Sequence, residues 1–216
     1  MAILARVPAL PVRRDSPRPP RVVVIGDLML DLVVVPDRAP VAATDVPGRV
    51  SLRQGGSAAT TARWLARLGA RSVLITSVGR DAPGRALLDE VQGDGVALHA
   101  VRPAGRRTGR IAVIVAPGGE RSFVADRSAA DALTPADLHA AWFARADLLH
   151  LPIYSLVGEP VGSAGRRAVE HARAATALVS VDLASTLPLL GDGRRAAWDR
   201  LSRTAPDILF GTSAEA

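Results

Sequence analysis

Val22-Val23-Val24-Ile25-Gly26-Asp27 is the stretch that decides how this chain folds. Four β-branched residues in a row leave no polar face, so the strand they form has to be buried on both sides. That belongs to a parallel sheet clad by helices, with Gly26-Asp27 as the turn at its carboxyl end. A second apolar piece, 28–35, follows at once and stops at Pro36. Further along, buried-strand runs at 72–78, 148–151, 178–181 and 208–210 alternate with helical stretches. One helix follows Gln54-Gly55-Gly56-Ser57, with Ala58, Ala62 and Leu65 on one face, and Gly69 stops it. Others are predicted over 86–91, 163–175 and 194–203. Thr134-Pro135-Ala136-Asp137 reads as another helix start, with Thr as N-cap and Pro in the first position. This alternation predicts an α/β fold with a mostly parallel central sheet and helices on both faces.

Two regions break the rhythm. Residues 37–53 are polar and turn-rich, and 96–101, 109–116 and 121–125 read as locally paired strands. Pro117-Gly118-Gly119-Glu120 forms a hairpin turn between the last two. The expectation is a small antiparallel lid, built from about 38–53 and 96–125, over one end of the main sheet. Residues 1–20 carry Pro8, Pro11, Pro17, Pro19 and Pro20 among scattered arginines and are expected to be a disordered tail. Residues 21–216 then form the domain.

Composition narrows the function classes. The 216 residues are 48% hydrophobic and 22% charged, enough for a packed core. The net charge is +6, and all 27 cations are arginine. Residues 1–21 hold five arginines against Asp15, or +4, leaving 22 arginines against 20 acids, or +2, in the body. With only 3% aromatics, no stacking platform accompanies that charge, which argues against a nucleic-acid partner. Cysteine is absent, excluding disulfides and thiolate metal sites. No window approaches the ~20 apolar residues of a membrane span, and the start lacks a signal peptide's apolar core. A cytoplasmic location without membrane contact is expected.

In an open α/β sheet, ligands sit beyond the carboxyl ends of the strands. Gly26, Asp27 and Asp31, then Gly79 and Asp81, Pro152, Asp182, and 212–215 occupy those positions. Carboxylates accept hydrogen bonds from hydroxyls and glycines let backbone approach closely, so such a rim suits a polyhydroxy ligand. Gly55-Gly56 directly before a helix either offers free N–H groups to a ligand or marks a tight loop with positive φ. Asp27, Asp81 and Asp182 are equally suited to capping or turn roles.

Taken together these pieces resemble the ribokinase (PfkB) family of sugar kinases. Val23-Val24-Ile25-Gly26-Asp27 with Asp31 is similar to the family's opening strand. Gln54-Gly55-Gly56-Ser57-Ala58-Ala59 with Ala66-Arg67-Leu68-Gly69-Ala70 is similar to its first signature. Ser77-Val78-Gly79-Arg80-Asp81-Ala82-Pro83-Gly84 resembles its G-x-D-x-x-G turn. Leu209-Phe210-Gly211-Thr212-Ser213-Ala214-Glu215 resembles the strand leading into N-x-x-E. The resemblance spans 21–216. It implies a ribokinase-like fold, a sugar or sugar-like substrate and ATP-dependent phosphoryl transfer with Mg²⁺. Asp31 would hydrogen-bond sugar hydroxyls, Gly55 and Gly56 would let the sugar reach the helix start, and Glu215 would help hold the Mg²⁺–water shell.

The departures matter too. Thr60 and Thr212 stand where the family has asparagines that contact sugar and nucleotide. A hydroxyl cannot replace an amide's separate donor and acceptor ends, and a lost buried partner costs about 1–3 kcal/mol. The family's later G-A-G-D turn, with its anion hole and catalytic aspartate, has no counterpart here, and no P-loop is possible without lysine. The resemblance therefore implies a chain lacking the C-terminal third and inactive by itself. The competing reading is a non-catalytic sugar-binding or subunit-pairing module, with a homodimer through the lid. An uncovered strand at 208–210 is expected to favour association.

Overall fold

The computed structural model describes residues 18–185, 189–213 and 215. Six strands form a wholly parallel sheet: β1 (Arg21–Ile25), β4 (Arg71–Ser77), β5 (Ala97–Val101), β8 (Leu148–Pro152), β9 (Leu178–Asp182) and β10 (Ile208–Phe210). Their order is β10-β9-β8-β1-β4-β5, so the opening strand lies in the middle. Its side chains are divided between two cores. Val23 and Ile25 pack with Leu149, Leu151, Val179 and Val181 beneath α3 (Val161–Ala174) and α4 (Arg194–Thr204). Val22 and Val24 pack with Leu74 beneath α1 (Ser57–Arg67) and α2 (Ala82–Gly93). Burial on both faces is what an unbroken β-branched run requires.

A second sheet stands over one end, in the order β3-β2-β6-β7. It comprises β2 (Met29–Pro36), β3 (Gly48–Gly55), β6 (Arg110–Val115) and β7 (Arg121–Asp126). The lid thus exists, but its membership differs from the expectation in two ways. The apolar run after β1 is its central strand β2, while 97–101 belongs to the main sheet, in parallel register with 73–77. Val96 and Leu98 put β5 there by packing into the α2-side core. The lid is also mixed: β2–β3 and β6–β7 are antiparallel, whereas β2–β6 is parallel, because the chain passes through the main sheet before returning.

Two further expectations change. No continuous helix follows Thr134. The Asp137 carboxylate accepts both the N–H and the hydroxyl of Thr134, closing one 3₁₀ turn. Leu138 and His139 are then extended before a second such turn at Ala140–Phe143, which lets both Leu138 and Phe143 enter the core. Of the expected tail, 1–17 lies outside the described residues. Residues 18–20 run along the body instead: Arg18 forks onto Asp147, and the Pro20 carbonyl accepts the Arg71 N–H, prolonging the β1–β4 ladder.

Leu149, fully buried in the central strand β8, makes the α3-side core testable. Leu149→Ala should lower unfolding free energy by about 2–5 kcal/mol, read from urea denaturation.

Candidate functional site

Chain direction puts the site at the middle of the sheet. From β1 the chain goes outward to β4 and β5 on one side, then crosses to β8, β9 and β10 on the other. The loops after β1 and β8 therefore part company, leaving a crevice at their carboxyl ends. The amino end of α1 and the lid enclose it into a cleft of about 700 Å³, open to solvent.

Asp31 enters this cleft from the lid. Its register partners across the lid are Arg53 and Ile111, and beyond Ile111 comes Ala125, so these share one face. Ile111, Phe123 and Ala125 line the cleft with Asp31, which identifies that face as the inner one. The Asp31 carboxyl is half-buried, and its Oδ1 has no hydrogen-bond partner. Burial, reinforced by the nearby Asp27 carboxylate, pushes its pKa up to about 6. Backbone accommodates it at Gly55, where a Cβ would lie 1.9 Å from Asp31 Oδ1. Gly56 shows the tight loop of positive φ. Its φ is +94°, and a Cβ would approach the Asp27 carbonyl to 2.5 Å, while it also lines the cleft at the helix start. Thr60, one turn into α1, lines the same wall.

Asp27 is mainly a structural acid. Nearly inaccessible, it accepts the Ala58 N–H on Oδ1 at 3.0 Å and the Arg127 guanidinium on Oδ2 at 3.2 Å. Its carbonyl takes the Ala59 N–H. The two carboxyl oxygens thus cap α1 and anchor the segment after β7. Arg127 also pairs with Asp131 and stacks over the Tyr154 ring, 4.9 Å from its centroid. Burial works against its charge, but Asp27 and Asp131 hold its pKa above the usual value. Arg127, Tyr154 and Phe123 line the cleft and were not singled out by sequence. No motif contains them; the one available signal was that Arg127 directly follows a strand.

The remaining acids divide. Asp182 lines the cleft from the end of β9 and accepts the Ala184 N–H at 3.1 Å. Asp81 belongs to a knot away from the cleft. It caps α2 through the Gly84 N–H and takes both the N–H and hydroxyl of Thr108, while Thr108 Oγ1 accepts the Gly79 N–H. Gly79 and Gly84 leave no room for a Cβ there, so the G-x-D-x-x-G turn is architecture at this position. Thr212 and Glu215 follow β10 and are not among the residues lining the cleft. Glu215 folds back so that a carboxylate oxygen accepts the Thr212 N–H at 2.7 Å.

The family profile described as pfkB family carbohydrate kinase matches residues 19–216. The chain belongs to the pfkB family of carbohydrate kinases. Fructokinase-1 of Oryza sativa subsp. japonica is 37% identical over 164 residues, 74% of this chain and 50% of that protein. A putative ribokinase II from E. coli, solved in its apo form, superposes with a TM-score of 0.80 at 19% identity, covering 91% of this chain and 63% of that one. A Xylella fastidiosa fructokinase with bound ATP superposes at 0.70 and 24% identity, covering 88% and 60%. At that identity the solved structures show the fold alone. This pfkB-family chain spans about half the length of the curated relatives it matches.

The family implies ATP and Mg²⁺. Among the described residues, no three His, Asp or Glu side chains cluster to hold a metal ion, and Glu215 is engaged with backbone. These residues do not form a metal site, and no step is assigned to one.

The Asp31–Gly55 crowding gives the cleft a sharp test. Gly55→Ala should displace the carboxylate and lower stability by about 1–3 kcal/mol, read by thermal melting.

Proposed function

We propose that the chain forms the acceptor side of a carbohydrate kinase, holding a sugar or sugar-like molecule whose hydroxyl receives a phosphoryl group from ATP. The observation carrying this reading is Asp31, which lines the cleft and whose buried Oδ1 has no hydrogen-bond partner. A buried acceptor without a donor costs stability unless a ligand supplies one, and a sugar hydroxyl is a matched donor. Gly55 and Gly56 bring backbone within reach of the same ligand, Thr60 adds a hydroxyl, and Phe123 offers an apolar face for a sugar ring. Thr212 and Glu215, to which the resemblance gives donor-side roles, are not among the residues lining the cleft. The chain alone is accordingly expected to bind sugar without turnover.

Titration of a panel of pentoses and hexoses, including D-fructose, tests the reading by calorimetry. Saturable binding supports it, and absence of heat with every sugar sinks it. The Asp31 pKa predicts the pH profile. Only the ionised carboxylate presents its full set of acceptors, so affinity should rise as pH goes from 5 to 7.5. Stability should move the other way. The folded state keeps this proton to higher pH than the unfolded chain, so the stability it supplies below pH ~4 is lost as pH climbs through about 6. Asp31→Asn should flatten both profiles, leave the melting temperature at pH 7.5 unchanged or raised, and weaken sugar binding roughly 10–100-fold.

A second reading, subunit pairing, has its own observation. On the outer lid face, Val50, Leu52 and Val124 are 65%, 64% and 66% exposed, and register places Leu32 and Val34 beside them. A contiguous aliphatic sheet face of this kind suits the lid of a second copy. Sedimentation should show a concentration-dependent dimer that Leu52→Glu converts to monomer. Monomer at all concentrations of the unaltered chain would count against pairing.

A further inference from the structure

The cleft carries two arginines in different states. Arg127 is committed, with Asp27 and Asp131 as ion-pair partners and Tyr154 beneath its guanidinium. Arg121, at the start of β7, makes no hydrogen bond or ion pair among the described residues, although it lines the same cleft. Its register partner is Val115, and alternation from Asp31 through Ile111 and Val113 puts Arg121 on the inner lid face. Its guanidinium carbon sits 5.7 Å from the Phe123 ring centroid, so it stacks on the same-face neighbour that lies between it and Ala125. Stacking on a ring holds a flexible cation at reduced entropic cost and leaves its N–H fork directed outward from the ring.

We infer that the substrate bears an anionic group, a carboxylate or a phosphate, which Arg121 grips while Asp31 takes hydroxyls at the other end. This rests on the sugar-cleft reading above. A neutral sugar offers Arg121 only uncharged acceptors, whereas its planar fork matches either anion through two parallel, charge-assisted hydrogen bonds. The spacing agrees. Ala125 is level with Asp31 across the lid, and Arg121 lies four residues further, about 13 Å along the strand. A side chain reaching in from each end leaves between them room for a five- or six-carbon chain. The charge arrangement agrees as well: Asp31 and Arg121 lie on the same inner lid face, and the Asp31 carboxylate repels an anion, so the ligand is oriented with its acidic end at Arg121.

The test uses the full chain at pH 7.5 with D-fructose, D-fructose 6-phosphate, D-gluconate and inorganic phosphate as calorimetric probes. We expect one of the two acidic sugars to bind at least tenfold more tightly than fructose; which one it is separates phosphate from carboxylate as the source of the charge. Arg121→Gln should bring that ligand down to the affinity of fructose and leave fructose within twofold. Since Arg121 lies on an exposed strand, the variant is expected to melt within a degree or two of the parent. Three results would overturn the inference. Fructose binding as tightly as both acids would do so and leave the sugar cleft standing. So would an equal loss of all ligands in Arg121→Gln, or inorganic phosphate matching fructose 6-phosphate. Absence of binding by any sugar would remove the cleft reading and this inference with it.

Discussion

The Asp27 carboxylate is the joint on which the site depends. It is buried at the end of the central strand, where an unpaired charge would be costly. Two partners satisfy it: the α1 amino terminus and the Arg127 guanidinium. Its own carbonyl binds the next helical N–H and excludes any side chain at Gly56. One residue thereby sets the angle of α1 against the sheet, the conformation of the glycine pair and the anchor of the segment leaving the lid. The walls of the cleft are consequences of those three contacts.

Asp31 contrasts with it. Four residues on and also a carboxylate, it has an oxygen with no partner and a pKa pushed up to about 6. Placing the two acids close together raises the cost of ionising the second, and only Asp27 receives the cation and the helix terminus. The lid supplies the rest of the enclosure, and its inner face carries both Asp31 and, further along, Arg121, whose side chain has no ion-pair partner among the described residues.

Much of this was legible from sequence. The β-branched run of β1, the βα alternation and the hairpin at 117–120 announced a parallel sheet and a lid. Asp31, Gly55 and Gly56 were named from their places after a strand and before a helix, Thr60 was named through the family resemblance, and all four line the cleft. The lid's membership was misjudged because a continuous apolar strand reads alike whether both its faces meet helices or one roofs a cleft. Periodicity cannot separate those cases. Likewise Asp81 and Asp182 both follow strands, yet the first is consumed by Thr108 and Gly84 while the second lines the cleft.

Sequence by itself determined the fold class, the strand and helix count along most of the described chain, and the glycine pair at the helix start. These follow from local steric preference and from which residues avoid water. Tertiary structure alone decided that β2 joins the lid, that β5 joins the main sheet, and that Arg127 is tethered by two ion pairs while Arg121 has none among the described residues. Those outcomes depend on partners far apart in the chain, such as Asp27 with Arg127 or Asp31 with Gly55. No local pattern encodes such a meeting, because the distances that create it exist only once the sheet has closed around its central strand.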